Sequence, residues 1–291
     1  MQIKKVGVVG CGLMGHGIAQ VAAQGGCSVV VVETEQRFLD SGLGRIDKSL
    51  SKLAEKAKEK GGSFDAALVR ARIQGALDRK SLVDCDLVVE AIVENLDVKN
   101  QLFAELGRIC KPNAIFASNT SSFPIAAMAK ASGRPKQFVG LHFFNPVQLM
   151  KLVEVVRTSE TSDEVFAAAR AFGETCGKTP ISCKDTPGFV VNRLLVPYMA
   201  EAMKMLDRGD ASAPDIDTAM KLGCGYPMGP FELTDYVGLD TTLSILQGWV
   251  KSYPNEPAFR IPRCLEEKVQ AKKFGRKSGE GFYKWEGDKK Q

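Results

Sequence analysis

Two side chains near the middle of the chain could form an acid/base pair. His142 lies in the aromatic segment 140–146, and Glu154 lies in the apolar run 151–156. A carboxylate in an apolar run is costly to bury unless it has a partner. Both residues stand six positions from Gln148, so two strands folded back on each other would place them opposite one another.

A carboxylate beside an imidazole fixes the imidazole tautomer and stabilises its charged form. Such a pair could take the proton from an alcohol as hydride leaves. The alternative is a buried pair with a structural role only. The chain has one other histidine, His16, which follows a glycine-rich motif and is interpreted as a packing or phosphate-side residue.

The glycine-rich motif is Gly-Cys-Gly-Leu-Met-Gly at residues 10–15. The pattern alone is weak, but it stands after an apolar strand and at the start of a helix, where dinucleotide binding requires it. Gly10 would permit a tight turn, Gly12 would let the backbone approach a pyrophosphate, and Gly15 would let the helix pack on the strand. The helix N-terminus would offer N–H donors to the phosphates. A merely structural turn is the alternative.

Glu33 ends the second strand, 18 residues beyond Gly15. An acidic side chain there can accept hydrogen bonds from the ribose hydroxyls of NAD and would repel the 2′-phosphate of NADP. The nearby Arg37 could weaken that preference. The sequence therefore predicts NAD as the cofactor.

The elements around these residues predict an α/β fold. Strand 6–10, helix 13–24 and strand 28–33 form a βαβ unit, and four further strands follow at 86–90, 114–117, 138–144 and 151–157. We expect a Rossmann-like, doubly wound sheet. The charged stretch 39–77, broken by Gly61-Gly62-Ser63, is interpreted as an inserted helix pair. Helical periodicity after Pro187 predicts an all-helical second domain, giving domains 1–187 and 188–291.

Composition narrows the classes of function. The net charge of +5 is spread along the chain, which argues against a nucleic-acid binder. The eight cysteines include no CxxC pair, so we expect no metal site and a reducing compartment. No apolar run approaches the roughly 18 residues of a membrane span. No targeting segment is visible at the start of the sequence.

Five motifs together resemble the L-3-hydroxyacyl-CoA dehydrogenases. The motifs are residues 118–122, 140–146, 150–155, 185–193 and 225–232. They occur in order, and the resemblance runs from Val6 to Tyr283. The resemblance implies NAD-dependent oxidation of a (3S)-3-hydroxyacyl-CoA in fatty-acid β-oxidation. The chain is too short to carry a fused hydratase domain, so we expect a monofunctional enzyme.

The resemblance also implies roles for individual residues. His142 would take the proton of the 3-hydroxyl, Glu154 would orient His142, and Ser121 and Asn192 would hydrogen-bond the reacting oxygen or the base. Ser49 and Lys56 would lie near the coenzyme A moiety. The expected cofactor-binding residues are Gly10, Gly12, Leu13, Met14, Gly15, Glu33, Glu94, Lys99, Asn119, Ser121 and Asn145.

Several of these residues have simpler interpretations. Ser121 could cap the following helix, and Asn192 and Asn145 could be cap or turn formers. Lys56 could belong to a solvated, lysine-rich helix face. Glu90 ends a strand near the cofactor, but it could be a solvent-exposed terminus.

Two other functions stay open. One is a different NAD-linked hydroxyacid dehydrogenase, which would often use a lysine base. The other is a non-catalytic, NAD-binding structural protein. From the family we expect a homodimer, located in the mitochondrial matrix if the source is animal-like and in the cytoplasm otherwise.

Overall fold

The computed structural model describes residues 2–291. The chain divides into two compact units, of which the first ends at Phe189 and the second begins at Val190. The first unit has strands β1 (Lys5–Val9), β2 (Ser28–Val32), β3 (Ile73–Ala76), β4 (Leu87–Glu90), β5 (Ile115–Ser118), β6 (Phe138–Phe143), β7 (Leu152–Arg157) and β8 (Thr179–Lys184). Its helices are α1 (Gly15–Gln24), α2 (Gln36–Glu59), α3 (Ala66–Ala71), α4 (Leu96–Ile109), α5 (Ile125–Ala131) and α6 (Asp163–Thr175).

The eight strands form one sheet in the order β3-β2-β1-β4-β5-β6-β7-β8. Only β6 and β7 pair antiparallel, and the other neighbours are parallel. Alternate strand residues feed two apolar clusters, with Val29 and Val31 in one and Val30 and Val32 in the other. Alternation along a strand puts successive side chains on opposite faces, so both faces are covered. The predicted Rossmann-like fold is confirmed.

The inserted helix pair is also confirmed, as α2 and α3, with Gly61 in the left-handed region at the turn (φ 74°). However, the helical interpretation of 39–77 was wrong at its end, because residues Ile73–Ala76 form β3 and pair with β2. Only Ile73 of β3 is buried. The strand therefore lacks the apolar run that would have marked it.

β8 was not predicted either. It lies at the other edge of the sheet, contains Pro180 and is half exposed along its length. Edge strands tolerate proline and polar side chains because one side of their backbone has no partner strand. Their sequences consequently carry little of the pattern that identifies an interior strand.

The second unit has helices α7 (Val191–Arg208), α8 (Ala213–Cys224), α9 (Pro230–Val237), α10 (Leu239–Ser252) and α11 (Arg263–Gln270). A two-stranded hairpin of β9 (Trp285–Glu286) and β10 (Lys289–Lys290) adds to the helices that the sequence predicted. Gly287 (φ 59°) provides the positive φ that the hairpin turn needs. Within residues 2–291, no helix is both long and apolar enough to cross a membrane.

One buried carboxylate fastens the C-terminal segment to the helices of the second unit. Asp235 in α9 accepts hydrogen bonds from the backbone N–H groups of Phe282 (2.8 Å) and Tyr283 (2.9 Å) and from Nε1 of Trp285 (2.8 Å). Burial raises the pKa of Asp235, and the three donors oppose that shift by favouring the charged form.

Candidate active site

His142 and Glu154 face each other across β6 and β7, as the spacing about Gln148 predicted. The ladder pairs the two residues directly. Nδ1 of His142 lies 2.6 Å from Oε2 of Glu154, and the residues are 4% and 0% exposed. An acceptor at Nδ1 favours the tautomer that carries its proton there, which leaves Nε2 free to accept a proton.

Ser121 stands at the other end of the imidazole. Its Oγ lies 3.0 Å from Nε2 of His142. The alternative that Ser121 caps the next helix was wrong, because Asp185 performs that function. The Asp185 carboxylate accepts hydrogen bonds from the N–H groups of Ile125 (2.9 Å) and Ala126 (2.8 Å), at the start of α5. The Ser121 hydroxyl is thus directed at the imidazole, in the order Glu154, His142, Ser121.

Two aromatic rings flank the imidazole. The ring centroids of Phe144 and Phe189 lie 4.6 Å and 5.5 Å from that of His142. Phe189 has a left-handed backbone (φ 53°) and follows a turn in which its N–H bonds the carbonyl oxygen of Thr186. A bulky residue rarely adopts this conformation, so burial of its ring has to offset the strain. The rings make the surroundings of the imidazole apolar.

The glycine-rich turn is closely packed at two of its glycines and open at the third. Gly10 has φ 95°, and a Cβ at Gly15 would lie 1.8 Å from the carbonyl oxygen of Gly10. Both positions therefore exclude larger residues. Gly12 is exposed, and a Cβ there would contact nothing within 4 Å, so its backbone is open to a ligand. Beside it, Leu13 is exposed and Met14 is half-buried at the start of α1.

Glu33 closes this turn from the end of β2. Its carboxylate accepts hydrogen bonds from the N–H groups of Cys11 (2.7 Å) and Thr34 (3.0 Å). Burial, with a smaller contribution from the Glu33 charge, raises the pKa of the Cys11 thiol to about 12. Arg37 pairs with Glu35 at 2.8 Å, so its charge is already engaged by another carboxylate. An acidic group beside the turn fits NAD rather than NADP.

His16 braces the same turn. Its Nδ1 lies 2.7 Å from the carbonyl oxygen of Gly12, and burial lowers its pKa. This contact agrees with the interpretation of His16 as a packing or phosphate-side residue.

The alternative that Glu90 is a solvent-exposed strand end was wrong. Glu90 is fully buried and pairs with Lys99, whose Nζ lies 2.6 Å from Oε1. Lys99 is buried as well, and it also pairs with Glu94 at 3.0 Å. The sequence signal that could have predicted this pair is an acidic residue at a strand end, Glu90, nine residues before a lysine in the following helix, Lys99.

The remaining predicted residues have varied surroundings. Asn119 is nearly buried, and its Oδ1 accepts the N–H of Phe143 (2.9 Å), which joins the ends of β5 and β6. Asn145 is exposed and precedes Pro146 in a cis peptide bond. Ser49 and Lys56 lie two turns apart on one face of α2. Asn192 lies in the first turn of α7, in the second unit.

Comparisons with known proteins agree with this geometry. Residues 5–186 match the family model described as 3-hydroxyacyl-CoA dehydrogenase, NAD binding domain, and residues 188–285 match the C-terminal domain of the same family. The mitochondrial hydroxyacyl-coenzyme A dehydrogenase of Sus scrofa is 52% identical over 287 residues, which are 97% of this chain and 91% of that protein. The probable 3-hydroxybutyryl-CoA dehydrogenase of Deinococcus radiodurans is 53% identical over 282 residues, covering 97% and 100%.

A solved structure shows the same architecture. The (S)-3-hydroxybutyryl-CoA dehydrogenase of Ralstonia eutropha superposes with a TM-score of 0.93 at 41% identity, over 98% of this chain and 100% of that one. Both family models, the relatives and the fold agree over almost the whole sequence. This chain belongs to the 3-hydroxyacyl-CoA dehydrogenase family.

Proposed function

We propose that this chain catalyses the reversible, NAD-dependent oxidation of (3S)-3-hydroxyacyl-CoA to 3-oxoacyl-CoA, the dehydrogenation step of fatty-acid β-oxidation. The observation that carries the proposal is the buried row of Glu154, His142 and Ser121 in a chain of this family. Residues 1–187 would bind the cofactor, and residues 188–291 would form the second, substrate and dimerisation domain.

In this mechanism His142 is the general base. Nε2 removes the proton of the 3-hydroxyl, while Glu154 holds Nδ1–H and stabilises the imidazolium that forms. The flanking rings of Phe144 and Phe189 keep water from competing for the proton. Bound NAD supplies the hydride acceptor at its nicotinamide ring.

Ser121 has a second role in the proposal. Its Oγ lies 3.0 Å from Nε2, where the substrate hydroxyl has to arrive. Once the substrate hydroxyl replaces Ser121 as the donor to Nε2, the Ser121 hydroxyl can donate its hydrogen bond to the substrate oxygen as the charge of that oxygen changes. We assign a similar hydrogen bond to Asn192, by its place in the 185–193 motif. Ser121 would thereby fix the alcohol relative to the base.

The cofactor site would extend from the glycine-rich turn to the ends of β4 and β5. Gly10, Gly12 and Gly15, with Leu13 and Met14, would hold the pyrophosphate, and Glu33 would hold the adenosine ribose. Glu94, Lys99, Asn119, Ser121 and Asn145 would complete the nicotinamide side. For the coenzyme A moiety we assign Ser49 and Lys56, because a half-buried hydroxyl and an exposed ammonium on one helix face suit a phosphate-bearing ligand.

We also infer a homodimer. Leu194 and Leu222 of the second unit are 70% and 83% exposed, and Tyr226 and Tyr236 are about half exposed. Exposed apolar side chains of this kind are what a subunit interface covers. Light scattering coupled to gel filtration would test this. We further expect the matrix for an animal-like source and the cytoplasm for a bacterial one.

The experiment that tests the function follows NADH absorbance with 3-hydroxybutyryl-CoA, free 3-hydroxybutyrate and longer 3-hydroxyacyl-CoA thioesters. We expect turnover of the thioesters and little turnover of the free acid. Rapid turnover of the free acid would instead indicate a different hydroxyacid dehydrogenase. His142→Ala should abolish turnover and leave NADH binding nearly intact. Ser121→Ala and Ser122→Ala are a matched pair: Ser121→Ala removes the hydroxyl that contacts His142, and Ser122→Ala removes an exposed hydroxyl beside it. We expect kcat to fall in Ser121→Ala only. Parental turnover in His142→Ala would overturn the assignment of the base.

A further inference from the structure

A closed ring of polar contacts lies under the loop that carries Ser121. Its five members, which we name the Glu90 ring, are Glu90, Lys99, Glu94, Thr120 and Ser118. Four of them are at most 2% exposed, and Glu94 alone reaches the surface. None of the four is needed as a proton donor or acceptor in the mechanism above.

The contacts can be followed around the ring in one direction. Lys99 Nζ donates to Glu90 Oε1 (2.6 Å) and pairs with Glu94 Oε2 (3.0 Å). The hydroxyl of Thr120 donates to Glu94 Oε1, and the N–H of Thr120 donates to Ser118 Oγ (3.2 Å). Ser118 Oγ donates to Glu90 Oε2 (2.6 Å), which closes the ring.

The ring joins three elements by polar contacts, in addition to the β4–β5 ladder and the apolar cluster in which Leu102 and Phe103 of α4 pack. Glu90 ends β4, Lys99 lies in α4, and Ser118 ends β5. The hydroxyl oxygen of Thr120 also accepts hydrogen bonds from the N–H groups of Ser122 (3.3 Å) and Phe123 (3.1 Å), so it fixes the two residues that follow Ser121. The conformation of the Ser121 loop, which follows β5, is therefore linked to the buried carboxylate of Glu90 at the end of the neighbouring strand β4.

We propose that the Glu90 ring is a single positioning unit, which sets Ser121 against His142 and Glu94 against the cofactor. Glu90, Ser118 and Thr120 are positioning residues in this scheme, since they act through Ser121 and Glu94. The charge of Glu90 is essential to it, because Lys99 is buried and needs a full counter-charge on the inner side. A buried polar network that is fully satisfied holds one geometry, and removing a member leaves its partners unsatisfied. This inference rests on the proposed function.

The test uses near-isosteric variants that open the ring at two distant points. Glu90→Gln removes the buried charge, and Thr120→Val removes the hydroxyl with little change of shape. Each should lower kcat by about tenfold, because small misplacements of a reacting group are costly. KM for the thioester should change less than kcat. Thr120→Ser keeps the hydroxyl and should restore kcat to near the parental value.

The double variant distinguishes one unit from two separate contacts. If the ring acts as a unit, the double variant Glu90→Gln/Thr120→Val has a kcat no lower than that of the less active single variant. Losses that multiply, or a Thr120→Val variant within about twofold of the parent, would overturn the proposal. Val88→Ala is the control for destabilisation alone: Val88 is buried in β4 within an apolar cluster and is not a member of the ring, so its truncation should lower Tm and leave kcat unchanged.

Two further arms keep the result unambiguous. Should Glu90→Gln fail to fold, the pair Ser118→Ala and Thr120→Val opens the ring without removing a charge, and the same non-additivity applies. NADH affinity, measured by fluorescence titration, should fall by about fivefold in each variant, because opening the ring displaces Glu94. The losses in the double variant should again be non-additive. That readout needs no turnover, so an inactive parent would refute the proposed function while the titration still decides on the ring.

Discussion

The contact between His142 and Glu154 leads to a quantitative prediction for Glu154→Gln. Glutamine keeps the size of the side chain and an oxygen that can accept Nδ1–H, so the change removes mainly the charge. The 2.6 Å contact is almost dry, with side-chain exposures of 5% and 0%. Solvent can therefore screen the interaction very little.

The size of the effect follows from the interaction with the imidazolium. With charge centres about 4 Å apart and an effective dielectric constant of about 20, the attraction is about 4 kcal/mol. That attraction exists only once the base has taken its proton, so it stabilises the transition state more than the ground state. Removing it should lower kcat by about 10³-fold.

The assay is steady-state NADH formation from 3-hydroxybutyryl-CoA at saturating NAD, with circular dichroism and NADH titration to establish that the variant is folded. Glu160→Gln is the matched control, because Glu160 is exposed just after β7 and its charge faces water. We expect parental turnover for the control. A folded Glu154→Gln enzyme with kcat within about tenfold of the parent would refute the reasoning from charge.

Three further predictions concern the cofactor turn, its thiol and the strained aromatic residue. Glu33→Ala should raise KM for NAD by about tenfold and narrow the preference over NADP, since both the ribose acceptor and the repulsive charge are lost; unchanged constants for both cofactors would contradict this. Burial holds the pKa of Cys11 at about 12, so at neutral pH the thiol stays protonated. Mass spectrometry after iodoacetamide treatment of the native protein should find Cys224, which is exposed, modified well before Cys11. Phe189→Gly relieves about 1 kcal/mol of backbone strain but removes a buried ring worth about 3–5 kcal/mol, so the free energy of unfolding should fall by at least about 2 kcal/mol; a denaturation midpoint equal to the parental one would show that strain relief offsets the whole loss of the ring, and would contradict this.

The pairing of His142 with Glu154 could be predicted because it depends on local sequence. His142 and Glu154 are 12 residues apart, and one turn between two strands decides whether they meet. The glycine-rich motif was equally accessible, since strand, turn and helix follow directly in the chain. In both cases a short segment contains all of the information.

Contacts between distant residues could not be read in this way. The choice between Ser121 as a helix cap and Ser121 as a partner of His142 is decided by Asp185, 60 residues beyond Ile125. Glu90 is buried because Ser118 arrives beside it from the next strand, 28 residues later. Likewise, β3 and β8 owe their strand conformation to their neighbours in the sheet, and their own sequences show no clear alternation.

The antiparallel pairing of β6 and β7 restricts how the hairpin between them can vary. Sliding β7 by one position would bring Val153 or Val155 opposite His142 and turn the carboxylate to the other face of the sheet. An insertion must therefore be absorbed entirely by the connection, where Lys178 donates a hydrogen bond to the carbonyl oxygen of Met150 (2.8 Å). Residues added to this loop therefore have to leave the register of β6 and β7 unchanged, because a shift of one position separates His142 from Glu154.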